Sequence, residues 1–244
     1  MKQIIQTEGI VLKVVEYKEQ AVLAEILTKT GKKNYIIRGA KKITGGTRLL
    51  AEPLTRISFL ATSSDGLDTL TEGTILDSYL PIKQNINKML CFYPILEKII
   101  VFTQQVTSID IFYQFVLDIL ELLKGNIEEK VVLALFETKL TYLIGISPEL
   151  RLCLKCGKKV QDAVFSIYNG GVYCLNCATD SFDLTSNETK VLQLLYFVKL
   201  NKVDKAFESV VKDDISKILN ILDLYYQKHL DFTSKAKEVT REIM

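Results

Sequence analysis

The chain has 244 residues, 48% hydrophobic and 25% charged, so it is long enough for two or three compact units and too apolar for wholesale disorder. Its 31 Lys and Arg residues and 29 Asp and Glu residues give a formal net charge of +2, so net charge alone indicates no polyanionic partner. No apolar run approaches the roughly 18 residues of a membrane span, and Glu8 lies where a secretory signal needs its apolar core. We therefore expect a cytoplasmic protein with no membrane partner.

The first 80 residues show short apolar segments separated by polar turns, a pattern typical of β-strands. In the first segment we expect Ile10, Leu12 and Val14 to be buried on one face, with a turn over Glu16–Gln20 after it. Five short strands predict a small β-barrel over residues 1–80, with an OB-fold as the leading candidate and an SH3-type barrel as the alternative. The predicted strands are Ile10–Val15, Ala21–Thr28, Lys33–Arg38, Leu54–Ala61 and Leu67–Leu76.

Beyond Pro81 the apolar spacing becomes helical, and residues 81–150 and 179–244 are assigned to an all-α domain. Gly125 is expected to end one helix and Gly145 to cap the next, while Thr185 and Glu188 form a capping box for a later helix. The predicted fold is thus α+β and multidomain. The predicted long helices are Ile86–Val106, Ile109–Leu123, Glu128–Ile144 and Ile215–Leu230.

A pair of Cx2C motifs is the strongest signal in the chain. Cys153 and Cys156 are followed after seventeen residues by Cys174 and Cys177, a spacing at which two loops can surround one Zn²⁺ with four thiolates. Four cysteine ligands leave no open position, so we expect one structural zinc ion per chain in a ribbon-like insertion over residues 151–178. Two disulfides, free thiols and an iron–sulfur cluster are the alternatives.

The segment from residue 29 to residue 48 contains seven basic residues and no acidic residue. Such a local imbalance on an otherwise neutral protein is typical of a nucleic-acid-binding groove, although a solvated barrel face shows the same composition. Tyr35, and less surely Tyr17, are expected to offer a stacking face nearby. The candidate DNA-binding cations are Lys29, Lys32, Lys33, Arg38, Lys41, Lys42 and Arg48.

Catalytic motifs are scarce. The one histidine, His229, lies near the end of a predicted helix, where we expect a structural hydrogen bond. The sequence contains no P-loop, no GxGxxG motif and no clustered carboxylates that would hold a catalytic magnesium ion. We therefore expect a binding protein and not an enzyme. The competing hypotheses are a zinc-ribbon scaffold protein that does not bind DNA and a magnesium-dependent enzyme of phosphoryl chemistry.

Several of these segments, taken in order, resemble the bacterial RecO family of recombination mediators. They are Glu8–Leu12, Glu16-Tyr17, Thr28–Gly31, Arg38–Lys42, the four cysteines and the closing segment Tyr225–Leu230. Where many relatives carry a second cluster of basic and serine residues, this chain has Ile43–Thr47 before Arg48. Some relatives lack the cysteines.

The resemblance implies an N-terminal OB-fold, a C-terminal helical domain and a zinc module. It also implies binding to single- and double-stranded DNA and annealing of complementary strands. The implied protein partners are RecR and the acidic tail of single-strand-binding protein, and the implied outcome is loading of RecA onto coated DNA. These activities follow from the resemblance and not from composition or spacing.

Overall fold

The structure is a computed structural model that describes residues 4–41, 47–63, 66–179 and 182–243. The chain divides into two compact units, one formed by residues 1–85 with 108–120 and the other by residues 86–107 with 121–244. The domain boundaries predicted at residues 80, 150 and 178 stay a prediction. Among the helices of the described ranges, none is long and apolar enough to cross a membrane.

The first unit contains a closed barrel of five strands, in the order β1-β2-β3-β5-β4. Four of the neighbouring pairs are antiparallel, and β3 runs parallel to β5 at the closure. This barrel confirms the predicted OB-like fold. The strands are β1 (Ile4–Lys18), β2 (Ala21–Thr28), β3 (Gly31–Arg38), β4 (Thr55–Thr62) and β5 (Asp68–Asp77).

The first strand departs from the sequence expectation. Ile10, Val11 and Leu12 are all buried, so simple alternation is wrong at this place. Of the three, only Val11 belongs to the cluster that fills the barrel, so β1 buries side chains on both of its faces, as strands covered on two sides do. The strand also continues to Lys18. Of the turn predicted over Glu16–Gln20, only Glu19 and Gln20 therefore lie outside the strand.

The helices lie close to their predicted positions. Gly145 has a φ of 78°, which supports its predicted capping role, and Thr185 and Glu188 form the expected capping box. Eleven of the fifteen residues of the third long helix are buried. The helices are α1 (Thr47–Leu50), α2 (Leu80–Lys83), α3 (Ile86–Phe102), α4 (Ile109–Lys124), α5 (Glu129–Leu143), α6 (Ser186–Phe197), α7 (Lys205–Val211), α8 (Ile215–Leu230) and α9 (Lys235–Ile243).

The second unit contains a buried group of charged side chains that the sequence does not reveal. Glu137 on α5 accepts hydrogen bonds from Lys98 Nζ at 2.8 Å and from Lys237 Nζ at 2.7 Å, and neither Lys98 nor Glu137 has an exposed side chain. Lys237 also reaches Asp223 at 2.6 Å. These contacts join α3, α5, α8 and α9, since each helix supplies one of the four residues.

Candidate functional site

The four predicted zinc ligands converge. The sulfur atoms of Cys153, Cys156, Cys174 and Cys177 all lie within 4.8 Å of one another, with 3.9 Å between Cys156 Sγ and Cys174 Sγ. Tetrahedral coordination with Zn–S bonds of about 2.3 Å places the sulfur atoms roughly 3.8 Å apart, so this donor set fits a zinc ion. The 3.9 Å separation is nearly twice the about 2.05 Å of a disulfide bond, and all four cysteines are free.

Two tight loops and a hairpin bring these sulfur atoms together. Gly157 has a φ of 69°, and its N–H donates to Cys153 O at 2.8 Å, which closes the first loop. Cys177 N–H donates to Cys174 O at 2.9 Å in the second loop. The ribbon-like insertion contains a hairpin of β6 (Ala163–Ser166) and β7 (Gly171–Cys174), which pair in antiparallel register.

Backbone donors favour a thiolate at the first ligand. Burial raises the pKa of Cys153, but hydrogen bonds from the backbone N–H groups of Cys156, Cys174 and Lys155 outweigh it and lower the pKa to about 6. At Cys177, hydrogen bonding with the neighbouring thiols, first with Cys174, raises the pKa to about 12. Neighbouring sulfurs resist carrying negative charge together, and a divalent cation removes that conflict.

The remaining cysteine is buried, and the histidine forms the predicted structural hydrogen bond. Cys91 is buried on α3, and burial, followed by the charge of Glu129, raises the pKa of its thiol to about 12. His229 Nε2 lies 2.9 Å from the carbonyl oxygen of Ile167, and its ring packs 4.2 Å from the ring of Tyr225. Neither side chain has a catalytic partner among the described residues that contact it.

The candidate DNA-binding cations separate into two groups along the barrel. Lys29, Lys32 and Lys33 lie in the β2–β3 turn and at the start of β3, whereas Arg38 ends β3. At about 3.3 Å per residue, Lys33 and Arg38 are roughly 17 Å apart along the strand. Lys41 follows the Arg38 end, Arg48 lies in α1, and Lys42 lies outside the described residues.

Most of these cations have carboxylate partners that come from other strands. Lys33 Nζ lies 2.5 Å from the carboxylate of Asp68, which is only 2% exposed, and this hydrogen bond raises the pKa of Lys33. The other pairs are Lys29–Glu8 at 3.5 Å, Lys32–Glu25 at 3.1 Å and Lys41–Glu16 at 3.1 Å. By contrast, Arg38 and Arg48 are exposed and form no ion pair with any residue that the structure describes.

The prediction that Tyr35 offers a stacking face is wrong. Its side chain is 6% exposed and packs edge-on against Phe59 inside the barrel, with 5.0 Å between the ring centres. Burial also raises the pKa of Tyr35. Tyr17, by contrast, is 41% exposed, and Lys18 Nζ lies 5.3 Å from the centre of its ring. The aromatic residue available for stacking at this part of the barrel is therefore Tyr17.

A groove of about 570 Å³ lies at this end of the barrel, and we call it the Arg38 groove. Its lining includes two cations and one acid, and its members are Tyr17, Lys18, Glu19, Gln20, Arg38 and Gly39. The Gly39 N–H donates to Gln20 O at 2.8 Å, which holds the exit of β3 beside the β1–β2 turn. Lys18 is a candidate that sequence reasoning missed, although its position beside Tyr17 was a usable signal.

Comparison with known proteins agrees with this architecture. The family model described as "Recombination protein O N terminal" matches residues 1–79, and "Recombination protein O C terminal" matches residues 84–238. A "DNA repair protein RecO" of Bacillus pumilus is 26% identical over 98% of this chain and 94% of its own length. The DNA repair protein RecO of Bacillus subtilis is 25% identical over 94% of this chain and 91% of its own length. That of Listeria monocytogenes is 23% identical over 97% of this chain and 93% of its own length. The chain therefore belongs to the RecO family of recombination and DNA repair proteins.

Proposed function

We propose that this protein binds single- and double-stranded DNA through the Arg38 groove and anneals complementary strands. We further propose that it acts with RecR and single-strand-binding protein to help RecA load onto coated DNA. The observation that carries the proposal is the groove itself, where the exposed Arg38 lies beside an exposed tyrosine and a second cation. Family membership supports the role in repair, and the groove supports the chemistry of DNA binding.

The side chains of the groove suit a phosphodiester backbone. Arg38 presents a guanidinium group, whose planar donors match phosphate oxygens, and it forms no ion pair with a described residue that a phosphate would have to displace. Lys41 lies three residues beyond Arg38 in the chain and outside the groove lining. It is held by Glu16, whose side chain is 87% exposed, so a phosphate can replace this partner at small cost. Contacts of this kind fix the position of a strand without reading its sequence.

The cations at the other end of β3 are less suited to DNA. The ammonium group of Lys33 balances the charge of a carboxylate that is almost completely buried, so its removal would leave Asp68 uncompensated. Lys32 is itself only 14% exposed and is paired with Glu25. We therefore rank Arg38 and Lys41 above Lys32 and Lys33 as phosphate ligands.

Annealing needs no nucleotide hydrolysis. Two complementary strands repel each other through their phosphates, and a cationic groove lowers that repulsion while holding bases accessible. Duplex formation is then energetically downhill. Accordingly, the sequence contains no P-loop.

The proposed cofactor is one structural Zn²⁺ bound by Cys153, Cys156, Cys174 and Cys177. The close approach of the four sulfur atoms supports it. When bound, the ion ties the two loops and the hairpin into one module and leaves no coordination position for a substrate. The ion is thus proposed to stabilise the second unit and to take no part in a reaction.

Two experiments test the proposed function. The first is a titration of the full chain against a fluorescent single strand and its duplex over a salt series; binding whose affinity falls as salt rises supports DNA binding. No binding at low salt would favour the zinc-ribbon scaffold hypothesis.

The second experiment measures annealing of complementary oligonucleotides coated with single-strand-binding protein, in EDTA and without ATP. Acceleration that disappears when the acidic tail of the coat protein is deleted supports annealing and the partnership together, and no acceleration on bare strands contradicts annealing.

A further inference from the structure

A second pocket, of about 510 Å³, lies beside the second zinc-binding loop within the second unit. Its volume is within the range of small-molecule sites. The proposed zinc ligand Cys177 forms part of its wall. The rest of the lining combines aromatic rings with hydrogen-bonding and charged groups, and includes Lys155, Tyr168, Asn169, Tyr173, Phe182 and Asp183. We call it the Tyr168 pocket.

The ring of Tyr168 is 73% exposed, although an aromatic ring of this size gains from burial. One neighbour is a cation, since Lys228 Nζ lies 4.3 Å from the centre of the ring. This arrangement enriches the ring surface in positive charge. An exposed ring beside cations is the local chemistry that binds the flat face of a nucleobase.

The backbone that carries this ring is rigidly held. Ile167 N–H donates to the Asp183 carboxylate at 2.7 Å, and Ile167 O lies 2.9 Å from His229 Nε2. On the other side of the ring, Gly170 N–H donates to Ile167 O at 3.2 Å, and Gly170 O accepts from Glu149 N–H at 2.9 Å. The tyrosine is thus presented on a turn whose position is fixed before a ligand arrives, which lowers the entropic cost of binding.

The polar groups of the pocket favour a base over a phosphate. Asp183 places a carboxylate in the lining, which repels a phosphate but accepts hydrogen bonds from the amino and imino groups of bases. The Asn169 side chain adds an amide, which has both donor and acceptor capacity, and the ammonium groups of Lys155 and Lys228 supply charge for the flanking backbone. Tyr173 and Phe182, whose ring centres are 6.1 Å apart, add apolar surface.

We propose that the Tyr168 pocket receives one unpaired base of a single strand of nucleic acid. This inference rests on the proposed function, because it assumes that the protein binds DNA. It goes further by assigning a site outside the barrel and a preference for one DNA form. In a duplex each base face is covered by its neighbours, so the pocket accepts a single strand and excludes a duplex.

The test compares Tyr168→Ala with wild-type full-length protein on a single-stranded dT oligonucleotide and on a duplex. We expect the single-strand affinity to fall at least about fivefold, the lower bound for losing one base–aromatic stack. The duplex affinity should change by less than about twofold, because no unpaired base is present. Since stacking releases no counterions, the salt dependence of single-strand binding should stay the same.

Two further variants serve as controls. Tyr168→Phe keeps the ring and should retain single-strand affinity. Tyr142→Ala removes another tyrosine with a similar exposure of 66%, on a helix and outside both pockets, and should have no effect. Unchanged zinc content and thermal stability of Tyr168→Ala would show that the turn is intact.

The outcomes separate this inference from the proposed function. If Arg38→Ala weakens binding to both DNA forms while Tyr168→Ala changes neither, the barrel site stands and the Tyr168 pocket is not a base site. If Tyr168→Ala weakens both forms equally, or weakens only the binding of an acidic peptide, the assignment to an unpaired base is wrong. If the wild-type protein binds neither DNA form, both proposals fail together.

Discussion

In the barrel the Lys41–Glu16 pair lies at the surface, whereas in the second unit the Lys98–Glu137–Lys237 group is buried. Glu16, the partner of Lys41, is 87% exposed on its side chain, while the side chains of Lys98 and Glu137 are both inaccessible. Exposed pairs contribute little to stability and exchange partners easily. Buried pairs are costly to break, because one charge is then left in a medium of low polarity. The same residue types thus form an exchangeable pair at the surface of the barrel and a structural group inside the second unit.

The largest effect is expected at the metal ligands. Replacing Cys174 with Ser removes one of the four thiolates. In small metal-dependent domains, binding of structural zinc contributes about 10–16 kcal/mol to the apparent free energy of folding. We expect loss of bound zinc and destabilisation of the second unit, with the barrel still folded because it supplies none of the four ligands. Metal analysis and thermal unfolding measure both effects.

Cys91→Ala is the matched control for Cys174→Ser, since Cys91 is a buried cysteine outside the cluster. It should keep a full complement of zinc. A Cys174→Ser protein that retains zinc and melts like the wild type would show that the cluster is not a metal centre.

The next effect concerns the buried ion pairs. Glu137→Ala leaves two lysine ammonium groups without their shared carboxylate, so the free energy of unfolding should fall by about 3–5 kcal/mol. Lys205 forms an ion pair with Glu208 at the surface, and the Lys205 side chain is 63% exposed. Lys205→Ala should therefore change stability little. Urea unfolding followed by circular dichroism distinguishes them, and similar small losses from both variants would contradict the contrast between buried and exposed ion pairs.

The same group predicts how stability depends on pH. Burial raises the pKa of Glu137, but Lys237 and Lys98 lower it more, so it lies below the ordinary value of 4.5. Its contribution is therefore complete above about pH 4.5 and is lost as the pH falls through the lower, folded-state value. Urea unfolding from neutral to acidic pH should show a steeper loss in the wild type than in Glu137→Gln. Parallel curves would contradict this assignment.

A small effect is expected at the exposed pair of the barrel. Glu16→Gln releases Lys41 from its carboxylate and should strengthen DNA binding by roughly two- to fivefold, the equivalent of an exposed ion pair. Fluorescence anisotropy at low salt measures this change. Weaker binding after Glu16→Gln would mean that Lys41 does not exchange a carboxylate for a phosphate.

The sequence was most informative where the relevant contacts are local. Each Cx2C loop closes within four residues, so its spacing alone identified the four cysteines whose sulfur atoms converge. The burial of Tyr35 was also encoded locally, because the period of two that places Ile37 inside the barrel places Tyr35 there as well. The alternation of β3 alone therefore predicts a buried Tyr35 and not an exposed stacking face.

Charge pairing could not be inferred in the same way. Lys33 meets a carboxylate 35 positions away, and Lys237 meets one 100 positions away. A basic run without acids therefore said nothing about the acids that the fold brings to it. Composition identified the region of the candidate interface. Only the three-dimensional structure separated the lysines that have carboxylate partners from Arg38 and Arg48, which form no ion pair with a described residue.

The most direct test of the central claim, that DNA binds at the Arg38 end of the barrel, is the salt dependence of DNA affinity for wild type, Arg38→Ala and Lys29→Ala. Lys29 is the matched control, because it lies at the other end of β3 and its side chain is 60% exposed. We predict that Arg38→Ala lowers the slope of log affinity against log salt by roughly 0.7 to 0.9, with a smaller change for Lys29→Ala. An unchanged slope for Arg38→Ala, or an equal loss from Lys29→Ala, would contradict the account.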